Sequence, residues 1–112
     1  MTTTSKLEKT AWKPYFDHVS TLLEGMNVGI EVASLQIGSQ FAAEWLPLTG
    51  VVYDPKDDLI AIMAEGLDHM IRRPREVFIE TKGVNLLSME VVDADGVSQV
   101  IRFREPLKLP AP

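Results

Sequence analysis

Glu31 and Glu44 are the two residues whose spacing most invites chemistry. Each sits in a run that alternates apolar with smaller or polar residues, Val28-Gly-Ile-Glu-Val32 and Phe41-Ala-Ala-Glu-Trp45. If a turn centred on Ile37-Gly38 joins the runs, Ile30 faces Trp45, Val32 faces Ala43 and Ser34 faces Phe41. A one-residue slip would put the large apolar residues on the wrong face, so this register is the expected one. It stands Glu31 directly opposite Glu44, with Cβ atoms about 5 Å apart. Carboxylates crowded this way raise one another's proton affinity or recruit a hard cation, which reads as an acid/base couple or a cation site. The plainer alternative is that both reach solvent or pair with arginines such as Arg102 and Arg104.

Arg72, Arg73 and Arg75 flank Pro74 and form the one basic cluster. Guanidinium forks match phosphate and carboxylate, so the cluster is a candidate anion site. Its alternative is a solvated loop that pairs with Glu76, Glu80 and nearby acids. Asp54, Asp57 and Asp58 lack the spacing and central Gly of a calcium loop, and turn chemistry around Pro55 accounts for them. His18 and His69 are the only histidines, and there is no Cys. No Ser/His/Asp set, Gly-rich phosphate loop or zinc spacing is legible, so no metal site and no cofactor is expected.

These residues need elements to hold them. Trp12, Tyr15, Phe16, Val19, Leu22 and Leu23 recur at three- and four-residue steps, which predicts a helix over residues 10–25. Thr10 is then the N-cap, Pro14 lies in the first turn, and Gly25 ends the helix. A start at Ser5 with Glu8 as its capping-box partner is the alternative. From Asn27 to Glu105 the period is two, with turns at Asp54–Asp58, Thr81–Val84 and Asp93–Val97. Gly96 takes the left-handed place of a bulged hairpin that pairs Met89 with Ile101 and Leu87 with Phe103. Residues 65–74 fit either a helical turn or a strand. Residues 1–9 read as frayed, and residues 106–112, with three prolines, as an extended tail. The expectation is one α+β domain: an N-terminal helix, then six or seven short antiparallel strands in a bent sheet or a small SH3-like or Sm-like barrel.

Trp12 and Trp45 read as core. The other face of the first hairpin holds Gly29, Ala33, Leu35, Ala42 and Leu46, small or apolar residues that invite cover. The helix, another strand layer or a second subunit can supply it. Leu35 and Leu46 are therefore candidate interface residues of a homodimer.

The stretches Ile30–Leu35, Glu44-Trp-Leu-Pro-Leu-Thr-Gly-Val-Val-Tyr-Asp-Pro-Lys-Asp-Asp58, Gly66–Ile71 and Pro74-Arg-Glu76, with the Ala94-Asp-Gly96 turn and the Pro-rich end, cover nearly the whole chain. Together they resemble a family of small bacterial single-domain proteins catalogued only as a domain of unknown function. The resemblance implies a bacterial protein made of this domain alone. It brings no activity, cofactor or catalytic residue with it.

Size and charge narrow the classes further. A chain of 112 residues fits one domain. The formal charge of −5 opposes phosphate backbones, so no nucleic acid is expected as partner. The longest apolar run, Leu59–Ala64, is far shorter than the ~20 residues of a membrane span, and no signal-peptide segment is visible. A cytoplasmic location and no membrane partner are expected. The leading functional reading is a non-enzymatic binding or assembly module that works through a sheet face or edge. A small enzyme or metal-binding protein using Glu31 and Glu44 is the alternative, and an anion or nucleic-acid binder using Arg72, Arg73 and Arg75 is the third.

Overall fold

Period-two alternation dominates the chain, and strands dominate the structure. The computed structural model describes residues 2–34, 36 and 38–108. In order they form β1 (Thr3–Leu7), α1 (Lys9–Ser20), β2 (Asn27–Ser34), β3 (Gly38–Asp54), β4 (Leu59–Ala64), β5 (Leu67–Arg72), β6 (Pro74–Lys82), β7 (Asn85–Asp93) and β8 (Ser98–Lys108). One antiparallel sheet takes the order β1-β6-β7-β8-β2-β3-β4-β5. The class is thus α+β, with one helix and a mostly antiparallel sheet.

The sheet is bent but is not closed into a barrel. Among the described residues no ladder joins β5 back to β1. The bend comes from β3, which spans 17 residues and serves both halves. Its first part pairs with β2 as far as Pro47, and its second part pairs with β4 from Leu48 onward. The β4–β5 half then lies over the same core as β6, β7, β8 and β2. Ile60, Ile62 and Ile71 from one side join Val77, Met89, Val91, Ile101 and Ile30 from the other in a single buried cluster. The helix packs on β3 and β6 and adds Trp12, Phe16 and Val19 to that cluster. Trp12 meets Tyr53 edge to face at 5.2 Å, and its indole Nε1–H donates to the Leu7 carbonyl at 3.2 Å.

Among the described residues eight strands replace the expected six or seven. The runs around residues 41–46 and 51–53 are one strand, β3, while β1 and β5 are additional. Residues 3–7 are not frayed. They pair with β6, and because their side chains are exposed down to Leu7 no hydrophobic alternation announces them. Residues 65–74 resolve into a tight turn at Glu65-Gly66 and strand β5. The expected tail is strand as far as Lys108, with Leu107 buried opposite Leu86; residues 109–112 lie outside the described residues. The ladder skips from Ser88↔Arg102 to Leu86↔Leu107, so β8 carries extra residues there. Pro106 falls in that irregular stretch, where its missing N–H costs little.

The helix is shorter than the apolar stripe. It begins at Lys9, Glu8 occupies the N-cap without a side-chain cap bond, and Pro14 falls in the second turn. It ends at Ser20, whose Oγ donates to the Val51 carbonyl at 2.7 Å and accepts from the Val51 N–H at 3.0 Å. At Val51 strand β3 has outrun β2, so the serine satisfies two backbone groups the sheet has left free. Leu23 remains in the core beyond the helix end, which is why the stripe misplaces the boundary.

Candidate functional site

The hairpin of β2 and β3 does not keep the simple register. Ile30 pairs with Ala43, Glu31 with Phe41, Val32 with Gln40, and Val28 with Leu46. Two irregularities flank Ile30, and at each β3 contributes one more residue than β2. Near Gly29 the surplus falls at Glu44-Trp45, and Trp45 adopts a left-handed backbone with φ 51°. An extra residue exchanges the two faces of a strand. Trp45 is therefore turned out, 41% exposed, and Leu46 is turned in against the core. This corrects the expectation that Trp45 is core and faces Ile30, and it removes Leu46 from a free interface face. Leu35 lies outside the described residues. Glu31 and Glu44 are not directly opposite one another, because Phe41 holds the place across from Glu31.

The two carboxylates are nevertheless brought together around one hollow. Gly29, Glu31, Phe41, Glu44, Trp45 and Arg102 line a cavity of about 160 Å³ on the outer face of the sheet. The ladders explain how. One row of paired residues crosses the sheet as Lys6, Phe78, Glu90, Val100, Glu31 and Phe41. The next row runs Thr4, Glu80, Ser88, Arg102 and Gly29. Their chain neighbours Val77, Met89, Ile101 and Ile30 are buried, so both rows face outward. Gly29 supplies the floor because it has no side chain. Phe41, 67% exposed, and Trp45 supply aromatic walls. The Arg104 guanidinium lies over the Trp45 ring, 5.9 Å from its centroid.

Arg102 also borders a second hollow of about 250 Å³ with Glu80, Ser88 and Glu90. Among the described residues it makes no ion pair within 4 Å, and neither do Glu31 or Glu44. Of the plainer alternative, solvent exposure or pairing with Arg102 and Arg104, the structure shows the first: Glu44 is exposed and Glu31 partly so. Among the described residues there is also no group of three or more His, Cys, Asp or Glu that could hold a metal ion.

The basic cluster is dispersed. Arg72 is exposed on β5. Arg73, with φ 52°, reaches Asp95 at 3.5 Å. Arg75 lines a different hollow with Lys6, Lys9 and Trp12. The three guanidinium groups do not converge on one anion. Asp54 plays the turn role expected of it, its Oδ1 accepting from the Lys56 N–H at 3.0 Å. Asp58 accepts from the Tyr53 hydroxyl at 2.9 Å.

Residues 3–112 match the model of a family described as a family of unknown function (DUF5335). The chain belongs to that family. It is 37% identical over 108 residues to an uncharacterized protein of the bacterium Aquifex aeolicus (strain VF5), across 96% of this chain and 97% of that relative. No solved structure matches it. Among the described residues no helix is long and apolar enough to cross a membrane.

The alternation of Glu31 and Glu44 with apolar neighbours does point to this part of the molecule. Phe41, Trp45 and Arg102 escape it as site residues because a bulge leaves no mark in periodicity. Trp12→Ala should cost about 3–5 kcal/mol in urea unfolding, as expected for a fully buried aromatic. Trp45→Ala should cost about 1 kcal/mol or less, and Trp45→Gly should be equally mild because Gly relieves the left-handed backbone.

His69 on β5 is half-buried, and its Nε2 is buried without a hydrogen-bond partner. Burial lowers its pKa below the ordinary 6.5, and the Gln99 side chain partly offsets this. The unfolded chain thus binds a proton near pH 6.5 that the folded chain binds less readily, so acidification destabilises the fold. Urea unfolding between pH 8 and 5.5 should show stability falling as pH drops through 6.5, by at most about 1.4 kcal/mol per pH unit for this one group. His69→Gln should flatten that slope.

Proposed function

We propose that this protein is a non-enzymatic binding module and that the hollow beside Trp45 receives its ligand. One observation carries the reading: an exposed tryptophan, held on a left-handed backbone, walls a cavity with Phe41, Glu31, Glu44 and Arg102. Apolar walls with a few polar groups at the rim are the usual makings of a small-ligand site. The carboxylate-pair enzyme reading is less favoured, because Glu31 has Phe41 and not Glu44 across the ladder. The anion reading at Arg72, Arg73 and Arg75 is less favoured because those side chains separate.

The test is a fragment screen against the isotope-labelled protein, read by amide chemical shifts. Small aromatic and amine fragments should perturb Gly29, Glu31, Phe41, Glu44, Trp45 and Arg102, and Trp45→Ala should abolish the response while the protein stays folded. Perturbations confined to other surfaces, or none at all, would overturn the reading.

A second reading is favoured by the exposure of Phe41 at the rim. A face with exposed aromatics and both signs of charge is complementary to itself, which suits a two-fold homodimer. Equilibrium sedimentation at micromolar concentration should then show dimers that Phe41→Glu dissociates. A monomer throughout would remove this reading and leave the first intact.

A further inference from the structure

We propose that the hollow takes a free α-amino acid with an apolar side chain. The inference rests on the binding-module reading and names the ligand class of that same site. The walls carry both charges: carboxylates at Glu31 and Glu44, a guanidinium at Arg102. None of the three is in an ion pair within 4 Å among the described residues, so opposite charges face one small space without neutralising each other directly. An occupant of a single charge would satisfy one wall and be repelled by the other. A zwitterion satisfies both: its ammonium donates to Glu31 and Glu44, and its carboxylate accepts from the planar fork of Arg102.

The remaining walls call for an apolar group. Phe41 and Trp45 are aromatic, and Gly29 leaves the floor bare. At about 160 Å³ the cavity is comparable to an engineered one of about 150 Å³ that takes benzene, so an isobutyl or phenyl group is of the right size. Arg104 lies over the Trp45 ring and is attracted to its face. A divalent cation is a poorer occupant, since it would leave the aromatic walls and Arg102 without a role.

The experiment uses three probes of one shape: L-leucine, isopentylamine, which lacks the carboxylate, and 4-methylpentanoate, which lacks the ammonium. Each is titrated into the full chain and followed by amide shifts at the hollow and by fluorescence. Trp45→Phe identifies the part of the fluorescence change that belongs to Trp45 and not to buried Trp12. Leucine should bind at least about tenfold more tightly than either half-analogue, a difference of about 1.4 kcal/mol. Arg102→Gln should erase the advantage over isopentylamine. Glu31→Gln with Glu44→Gln should erase the advantage over 4-methylpentanoate. Arg102 and Glu44 are exposed and Glu31 partly so, and unchanged melting temperatures would show that the fold survives. Isopentylamine binding as well as leucine would make this a simple cation site and overturn the proposal. So would 4-methylpentanoate binding as well as leucine. If fragments bind the hollow but leucine does not, the amino-acid proposal fails and the binding-module reading stands. If nothing binds there, both fail.

Discussion

Everything in this molecule hangs on one strand that has to belong to two halves of a sheet. Strand β3 runs 17 residues, pairs with β2 and then with β4, and in between gains a residue on its partner at Glu44-Trp45. A strand of uniform alternation would keep one face inward along its length. The bulge breaks that constraint. Downstream of it Leu46 and Leu48 turn toward the core, and the strand continues into the half that carries Ile60, Ile62 and Ile71. The helix can then close on β3 beyond the end of β2, where Ser20 meets both backbone groups of Val51. Core, bend and helix docking all depend on that local change of register.

The same feature separates what could be read in the sequence from what could not. The Met89–Ile101 pairing was legible because Asp93-Ala-Asp-Gly96 specifies its own turn. Gly96 takes φ 78°, and Asp93 Oδ1 accepts from the Asp95 and Val97 N–H groups. The Leu87–Phe103 pairing is not formed, because the ladder skips at that point. The turn at Asp54 was legible for the same reason as that at Asp93. The helix was legible from Trp12, Phe16 and Val19, although its end was not, since Leu23 stays buried after the helix has stopped. Strand β1 left no signal, because its side chains are exposed as far as Leu7 and show no hydrophobic alternation. Part of the site was visible: Glu31 and Glu44 were placed on one face, and they do line one hollow. Its aromatic walls were not, because the pattern assigns Phe41 and Trp45 inward and only the irregular register reverses them.

The outer face also shows how an acidic chain can keep arginines available. Arg102 lies between Glu80 and Glu90 on one side and Glu31 and Glu44 on the other, within two adjoining hollows. Glu90 has a partner of its own in the Ser98 hydroxyl. An exposed ion pair contributes little to stability, so leaving Arg102 without one costs the fold almost nothing.

Residue 45 carries both a backbone cost and packing gains. The bulge itself has a structural reason, since it brings Leu46 and Leu48 inward. A bulge residue with positive φ is most easily Gly or Asn, which adopt that conformation without the roughly 1–2 kcal/mol that a Cβ costs there. Trp45 carries that strain and also leaves 41% of its surface in water. Stacking with Arg104 returns about 0.5–1 kcal/mol at an exposed position, which at best offsets the strain. The covered part of the ring adds burial to that balance, so packing and the hollow both bear on the tryptophan. Its exposed part stands beside Phe41 and Gly29 as a flat wall of the hollow.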